Sequence, residues 1–225
     1  MAWRDWIRTV EIEPSLYGAD FANLGSQVEA LLRADCRIFH FDIGDGHFVE
    51  PITMGPIVLQ SISPLIHRYR GAIDVHLMVE NPVKYFEPVA AAGGDSVTFH
   101  YEAVDDVAAA IAAARALELQ VGVAFNPGTE PEDVAAVAGD ADVALCMSIQ
   151  PGYSGQPFQE ETLGRVRRLR AALPGGVRIQ VDGGVGMDNV KELYDAGATL
   201  LVAATAIFGR EDLPRAYRRL VQALA

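Results

Sequence analysis

Three apolar segments of the sequence carry histidine and aspartate side chains at a spacing that could bind a metal ion. The stretch 38-IFHFDIGDGHFV-49 contains His40 and Asp42, 73-IDVHLMV-79 contains His76, and 179-IQVDGGV-185 contains Asp182. An isolated buried charge is costly, and metal coordination offsets that cost. Mixed imidazole and carboxylate ligation suits Zn²⁺, Fe²⁺, Mn²⁺ or Co²⁺. A single histidine on an apolar strand is also typical of a hydrogen-bonded core residue, so a metal site and a structural role both remain open.

Alternating strand and helix patterns position these side chains. Strands are predicted over 8–15, 37–43, 72–79, 96–102, 120–126, 142–149, 177–182 and 199–204. Helices are predicted over 20–34, 56–66, 82–92, 105–118, 131–138, 160–173, 187–196 and 211–224. About eight βα units in one domain predict a closed α/β fold, a (β/α)8 TIM barrel spanning residues 1–225. A doubly wound open sheet is the alternative, but PSLYGADF after the first strand is not its Gly-rich fingerprint.

In a barrel, strand alternation would turn His40 and Asp42 toward the axis and the neighbouring aromatic residues toward the helices. His76 and Asp182 would reach the same end of the barrel, where the active sites of barrel enzymes lie. Asp74 is interpreted as the start of its strand, outside the site, and Asp45 as a turn residue. The remaining histidines have no partner at an informative spacing and are interpreted as structural or supporting residues: His47, His67 and His100.

Glycines lie in the loops after the sixth and seventh predicted strands, 150-QPGYSGQPF-158 and Gly183-Gly184, and the chain runs through 203-AATAIFG-209 after the eighth. Barrels often hold phosphate in the loops after strands seven and eight, where backbone amides supply positive potential without lysine or arginine. Because the net charge of the protein is −12, an anionic ligand must be attracted by such local backbone groups. That charge also argues against nucleic-acid and membrane-surface partners.

The N-terminal segment lacks the apolar core of a signal peptide, and no apolar run is long enough to span a bilayer. Two isolated cysteines, Cys36 and Cys146, fit reduced structural thiols. A cytoplasmic protein is therefore expected.

With these residues in view, the chain resembles the ribulose-phosphate 3-epimerase family. The matching segments run nearly from end to end: PSLYGADF (14–21), HFDIGDGHFV (40–49), DVHLMVENP (74–82), FNPGT (125–129), MSIQPGYSGQPF (147–158), VDGGV (181–185) and LVAATAIFG (201–209). The resemblance implies a barrel that epimerises a phosphorylated ketose at C3. It also implies one divalent metal ion per chain, with Zn²⁺ as the first choice and Fe²⁺, Mn²⁺ or Co²⁺ as alternatives, and a homo-oligomer.

Residue by residue, the resemblance makes His40, Asp42, His76 and Asp182 the metal ligands, with Asp42 and Asp182 also the catalytic acid/base pair. Epimerisation needs a base on each face of a planar enediolate, and two carboxylates from different strands meet that need. The substrate-binding positions that the resemblance implies are Ser15, His76, Met78, Met147, Gly152, Ser154, Gly155, Gln156, Gly183, Gly184, Ala204 and Thr205.

Several positions depart from the family pattern and leave the sugar open. They are Glu13, Gly18, Gly44, Glu50, Pro51, Gln150, Ser154, Ala204 and Thr205. Ribulose 5-phosphate is the expected substrate, with a hexulose phosphate such as allulose 6-phosphate as the alternative. Gly44, where relatives carry methionine, is expected to leave extra room beside the reacting carbons.

Two competing functions belong to different classes. One is a lyase of the orotidine-decarboxylase group, and the other is a non-catalytic protein that binds a sugar phosphate. The missing lysine in Asp42-Ile43-Gly44-Asp45 argues against the lyase. The intact ligand set argues against the non-catalytic binder, since binding alone does not need two opposed bases.

Overall fold

Eight parallel strands form the centre of the molecule. The computed structural model describes residues 9–224. The strands are β1 Glu11–Pro14, β2 Ile38–Gly44, β3 Ala72–Met78, β4 Ser96–His100, β5 Gln120–Phe125, β6 Val143–Met147, β7 Arg178–Asp182 and β8 Leu200–Ala203. Each lies within one residue of a predicted strand or inside it. The first predicted strand starts at residue 8, which lies outside the described residues.

The strands form a nearly closed barrel, which confirms the predicted fold. Their order is β1-β8-β7-β6-β5-β4-β3-β2, and every ladder is parallel. Between β1 and β2 the circle is joined by a single bridge from Ser15 to His40. An open doubly wound sheet would leave these two edges apart.

Helices alternate with the strands and cover the outside of the barrel. They are α1 Leu24–Arg33, α2 Pro56–Arg68, α3 Val83–Ala91, α4 Val107–Arg115, α5 Pro131–Ala135, α6 Thr162–Ala172, α7 Val190–Ala196, α8 Thr205–Phe208 and α9 Leu213–Gln222. Most start later than predicted; α4, for example, begins after Asp106, whose side chain accepts a hydrogen bond from the Ala109 amide. The short α8 after β8 had no separate helical prediction. No helix in residues 9–224 is long and apolar enough to cross a membrane.

Strand alternation sets the direction of every site residue. On β2, Phe39 and Phe41 join the large apolar cluster between the sheet and the helices. Inside the barrel, the floor is a small apolar cluster of Ile38, Ala72, Val143 and Leu200. The polar side chains on β2, β3 and β7 lie above this floor, toward the C-terminal ends of the strands.

Candidate active site

Four side chains from three strands converge at the C-terminal end of the barrel. His40 and Asp42 come from β2, His76 from β3 and Asp182 from the last residue of β7. His40 Nε2 lies 3.3 Å from both Asp42 Oδ1 and His76 Nδ1, and the latter two atoms are 3.1 Å apart. Asp182 Oδ2 lies 4.0 Å from His40 Nε2 and 3.8 Å from His76 Nδ1. One ligand atom from each residue therefore faces a common point.

The donor set fits a divalent metal ion. Donors about 2.0–2.1 Å from a tetrahedral metal are separated by about 3.4 Å, which matches the spacing of these four atoms. Two imidazole nitrogens and two carboxylate oxygens suit Zn²⁺ and its first-row neighbours.

A buried carboxylate fixes the orientation of His40. Asp74 Oδ2 lies 3.0 Å from His40 Nδ1, so an N–H there can donate to the carboxylate and leave Nε2 free for the metal. Asp74 also accepts hydrogen bonds from Ser96 (2.7 Å), Thr98 (3.2 Å) and Gln180 (2.8 Å). The sequence interpretation placed Asp74 outside the site, and this was wrong. Its position two residues before His76, on the same strand face, was the available signal.

Glu13 extends this buried polar layer and departs from the family pattern. It accepts a hydrogen bond from Gln180 Nε2 (2.5 Å), and its Oε1 has no hydrogen-bond partner among the described residues. Burial, helped by the negative charge of Asp74, raises the pKa of Glu13 well above its usual value. This shift favours the neutral form of the Glu13 side chain beneath the ligand set, which lowers the cost of burying it.

The two site aspartates have pKa values shifted in opposite directions. Burial raises the pKa of Asp182 to about 7, and the nearby charge of Asp42 adds to that shift. Burial alone would also raise the pKa of Asp42, but His40 and His76 outweigh it and lower that pKa. Ser15 Oγ donates a further hydrogen bond of 2.6 Å to Asp42 Oδ2. At neutral pH one carboxyl is therefore a base and the other can hold a proton.

This electrostatic arrangement predicts that metal binding releases protons. Below pH 7 the Asp182 carboxyl holds a proton that a bound cation must displace, since only the carboxylate is a ligand. The apparent affinity for Zn²⁺ should therefore rise as the pH increases through 7. Titration calorimetry of metal-free protein in buffers of different ionisation enthalpy measures the released protons. An affinity that is the same well below and well above pH 7 would contradict the assignment.

A pocket lies directly above the ligand cluster. Ten predicted substrate-binding residues line it: Ser15, Met78, Met147, Gly152, Ser154, Gly155, Gly183, Gly184, Ala204 and Thr205. Sequence reasoning missed Tyr17, Ile149, Pro151, Tyr153, Val185 and Val202, which lack a charged or catalytic signature. Among the described residues, no lysine or arginine lines this pocket, so backbone amides must supply most of the attraction for an anion.

Two predicted substrate-binding residues lie outside the wall of this pocket. His76 is fully buried beneath it, within the ligand cluster. Gln156 instead organises the loop after β6, because its Nε2 donates to the carbonyl oxygens of Gln150 (2.8 Å) and Tyr153 (2.9 Å). Its contribution is to the shape of the loop.

The glycine pair after β7 is required by close packing. Gly183 and Gly184 have φ values of +116° and +63°. A Cβ on Gly183 would lie 2.4 Å from Ile149 Cγ1, and one on Gly184 would lie 2.9 Å from the backbone nitrogen of Phe158. Glycine therefore lets the β7 loop approach the loop after β6 and expose its backbone to the pocket.

The expectation that Gly44 leaves room for a larger sugar is wrong. A Cβ there would lie 2.8 Å from the carbonyl oxygen of Pro51 and 3.0 Å from Val49 Cγ2. Gly44 is also not among the residues that line the pocket. Val49, Pro51 and Thr53 occupy the space beside Gly44.

Gly44→Ala should consequently destabilise the protein. The added methyl group meets backbone rather than a movable side chain, and we expect a loss of about 1–3 kcal/mol in the free energy of unfolding. Chemical denaturation measures it. Gly164→Ala is the control, because that helical glycine has nothing within 4 Å of its missing Cβ. If Gly44→Ala is as stable as the parent, the close packing at this site is refuted.

Known proteins are similar to this chain over most of its length. The model of the family described as "Ribulose-phosphate 3 epimerase family" matches residues 11–208. The ribulose-phosphate 3-epimerase of Escherichia coli strain K12 is 36% identical over 217 residues, covering 95% of this chain and 96% of that protein. Ribulose-phosphate 3-epimerase 2 of Cupriavidus necator is 38% identical, with coverage of 96% and 92%.

Among solved structures, 3-hexulose-6-phosphate synthase from Salmonella typhimurium superposes with a TM-score of 0.72 at 16% sequence identity, covering 95% of this chain and 98% of that one. At that identity the likeness concerns the fold alone.

Proposed function

This chain belongs to the ribulose-phosphate 3-epimerase family, and we propose that it interconverts D-ribulose 5-phosphate and D-xylulose 5-phosphate with one bound divalent metal ion. Membership makes it an isomerase, an epimerase of a pentulose phosphate in a divalent-metal-dependent family. The observation that carries the finer proposal is the convergence of His40, Asp42, His76 and Asp182 below a pocket without cationic side chains. Zn²⁺ is the proposed ion, with Fe²⁺, Mn²⁺ or Co²⁺ as alternatives.

The two aspartates carry the proposed proton transfers. A divalent metal held by the four ligands would supply Lewis-acid stabilisation of the negative charge that develops on the sugar. In the proposed step Asp42 takes the C3 proton from one face of the sugar, and Asp182 delivers a proton to the opposite face. In the reverse direction the roles exchange. Their strands, β2 and β7, are separated by β1 and β8 on one side of the barrel and by four strands on the other.

Apolar residues and glycine loops hold the rest of the substrate in this proposal. Met78 and Met147 are buried at the pocket wall and keep water from the reacting carbons. The segments 183–184 and 204–205, with the loop after β6, supply backbone amides to the phosphate. Ser15 holds Asp42 through its hydroxyl group and also contributes to the pocket wall.

The competing functions have less support. A lyase with a catalytic lysine is disfavoured because the two lysines of the chain, Lys84 and Lys191, lie on outer helices against Tyr85 and Tyr194. A hexulose phosphate was expected to fit because Gly44 would leave extra room, and this reason is removed since Gly44 opens no space. A non-catalytic binder would not need two aspartates with opposed pKa values.

A coupled assay across pentulose and hexulose phosphates tests the proposal. We expect kcat/KM to be highest for ribulose 5-phosphate and xylulose 5-phosphate. A higher value for a hexulose phosphate would replace the proposed substrate, and absence of turnover on every ketose phosphate would overturn the activity.

Three further expectations stay predictions. They are that residues 1–225 form one domain, that the chain is a homo-oligomer, and that it works in the cytoplasm. The small phosphorylated sugar is the proposed partner, with no nucleic acid or membrane involved, as the net charge of −12 suggests.

A further inference from the structure

A line of buried side chains runs from His76 away from the metal-binding point. His76 Nδ1 faces the ligand cluster, while His76 Nε2 lies 2.8 Å from His100 Nε2. The other nitrogen of the second ring, His100 Nδ1, lies 3.4 Å from Glu102 Oε2 and makes no hydrogen bond among the described residues. Both rings are fully buried, and Phe48 packs on His100 with ring centroids 4.7 Å apart. The orientation of His100 is thus fixed by packing.

Hydrogen placement in these two rings has only two consistent solutions. Only one proton can lie between the two Nε2 atoms at 2.8 Å. If His76 provides it, His76 Nδ1 is a free lone pair for the metal, and His100 must carry its own proton on Nδ1, facing Glu102. If His100 provides it, the His76 proton moves to Nδ1 and blocks the metal, and a His100 lone pair faces the Glu102 carboxylate. An ionised Glu102 therefore favours the first solution.

Glu102 is held ionised and in a fixed rotation. Burial alone would raise its pKa, but hydrogen bonds involving His100, Thr129 and Asn126 lower it to about 2. Glu102 Oε1 accepts from the Asn126 amide at 2.8 Å and from the Thr129 hydroxyl, which directs Oε2 toward His100.

The segment 125-FNPGT-129 supplies that support, and its role was not apparent from the sequence. Arg165 on α6 is buried and donates to the carbonyl oxygens of Asn126 (2.7 Å) and Thr129 (3.2 Å), and also to that of Met147 (2.9 Å). Its guanidinium lies 4.8 Å from the centre of the Phe125 ring. Arg165 therefore holds the carbonyl groups of this segment, while the Asn126 amide and the Thr129 hydroxyl donate to Glu102.

We propose that Glu102 is a positioning residue that acts through His100 to keep the Nδ1 lone pair of His76 directed at the metal. This inference rests on the proposed metal site. Glu102 does not touch the ligand cluster itself. Its effect passes through the 3.4 Å contact between its Oε2 and His100 Nδ1 and then through the hydrogen bond between His100 and His76. Residues behind a metal ligand typically change metal affinity by about 10–100-fold when altered.

Glu102→Gln tests the inference because it preserves the shape of the side chain and replaces the acceptor that faces His100 Nδ1 with a donor. Asn126 and Thr129 both donate to the Oε1 position, so the amide oxygen of glutamine belongs there and its NH₂ group faces His100 Nδ1. That group donates to His100, which places the His100 proton on Nε2 and the His76 proton on Nδ1. We expect Zn²⁺ affinity to fall by about 10–100-fold. Glu102→Ala places no hydrogen-bond donor opposite His100 Nδ1, and it should therefore weaken Zn²⁺ binding less than Glu102→Gln does.

The order of the two variants separates positioning from a structural role. If Glu102 only supported the loop, the truncating change to alanine would be worse than the isosteric change to glutamine. Zn²⁺ affinity is measured by competition with a chromophoric chelator, and Glu132→Gln is the control, an exposed glutamate that pairs with Arg168. Binding by Glu102→Gln equal to that of the parent, or weaker binding by Glu102→Ala than by Glu102→Gln, overturns the proposal. Absence of Zn²⁺ binding in the parent would instead refute the proposed metal site.

Nitrogen-15 spectra of the five histidines give a second readout that does not depend on turnover. In the Zn²⁺-loaded parent we expect His100 to be protonated on Nδ1 and His76 on Nε2. In metal-free Glu102→Gln we expect His100 protonated on Nε2. The same His100 tautomer in both proteins would exclude a positioning role for Glu102.

Discussion

Asp42→Asn and Asp182→Asn are each expected to abolish net epimerisation. Removing one general acid or base typically costs at least about 10²-fold in rate. The two substitutions remove different groups: the pKa of Asp42 is lowered, so Asp42 is the ionised carboxylate, whereas the pKa of Asp182 is about 7. The coupled assay gives kcat for both variants, and metal content is measured on the same samples.

Excess metal distinguishes a proton-transfer role from a ligand role. If the carboxylates only bind the ion, saturating either variant with metal should restore near-normal rates, and the two-base mechanism would have to be abandoned. Asp188→Asn serves as the control, since this exposed aspartate lies in the loop after β7, outside the pocket wall. It should retain the parental rate.

Metal removal is the second change expected to have a large effect. Lewis-acid stabilisation of the developing charge is worth several kcal/mol, so chelation should lower kcat/KM by about 10²-fold or more. Adding back Zn²⁺, Co²⁺ or Mn²⁺ should restore it, and the most effective ion identifies the preferred metal. A rate unchanged after complete removal of the ion would exclude the metal-dependent mechanism.

The ligand set can be tested with a pair of histidine variants. His76→Ala should lose both metal and activity, because one of four donors is removed. His67→Ala should keep both, since His67 lies on α2 and pairs with Asp95, away from the site. Full metal occupancy in His76→Ala would remove this residue from the ligand set.

The fold and the convergence of the four ligands were predictable because they follow from local rules. Period-two alternation on β2 determines that His40 and Asp42 share the face opposite to Phe39 and Phe41. Parallel strands then bring their C-terminal ends to one edge, which explains why His76 and Asp182 lie beside them. Nothing beyond strand direction and alternation was needed.

The supporting residues depend on contacts across strands, which the sequence alone does not specify. Asp74 supports His40 only because β2 and β3 pair with His40 opposite Asp74. Likewise, His100 meets His76 through the pairing of β3 with β4, and Gly44 is enclosed by a loop whose path the family pattern did not predict. Predicting these contacts requires knowledge of the strand register and of the loop conformation.

Turnover in deuterated water tests the central claim most directly. If one aspartate removes the C3 proton and the other delivers a proton to the opposite face, the hydrogen at C3 of the product comes from the solvent. Proton NMR of the isolated product should then show deuterium at C3, with the C4 and C5 positions unlabelled. Epimerised product that keeps the original C3 hydrogen would contradict the account.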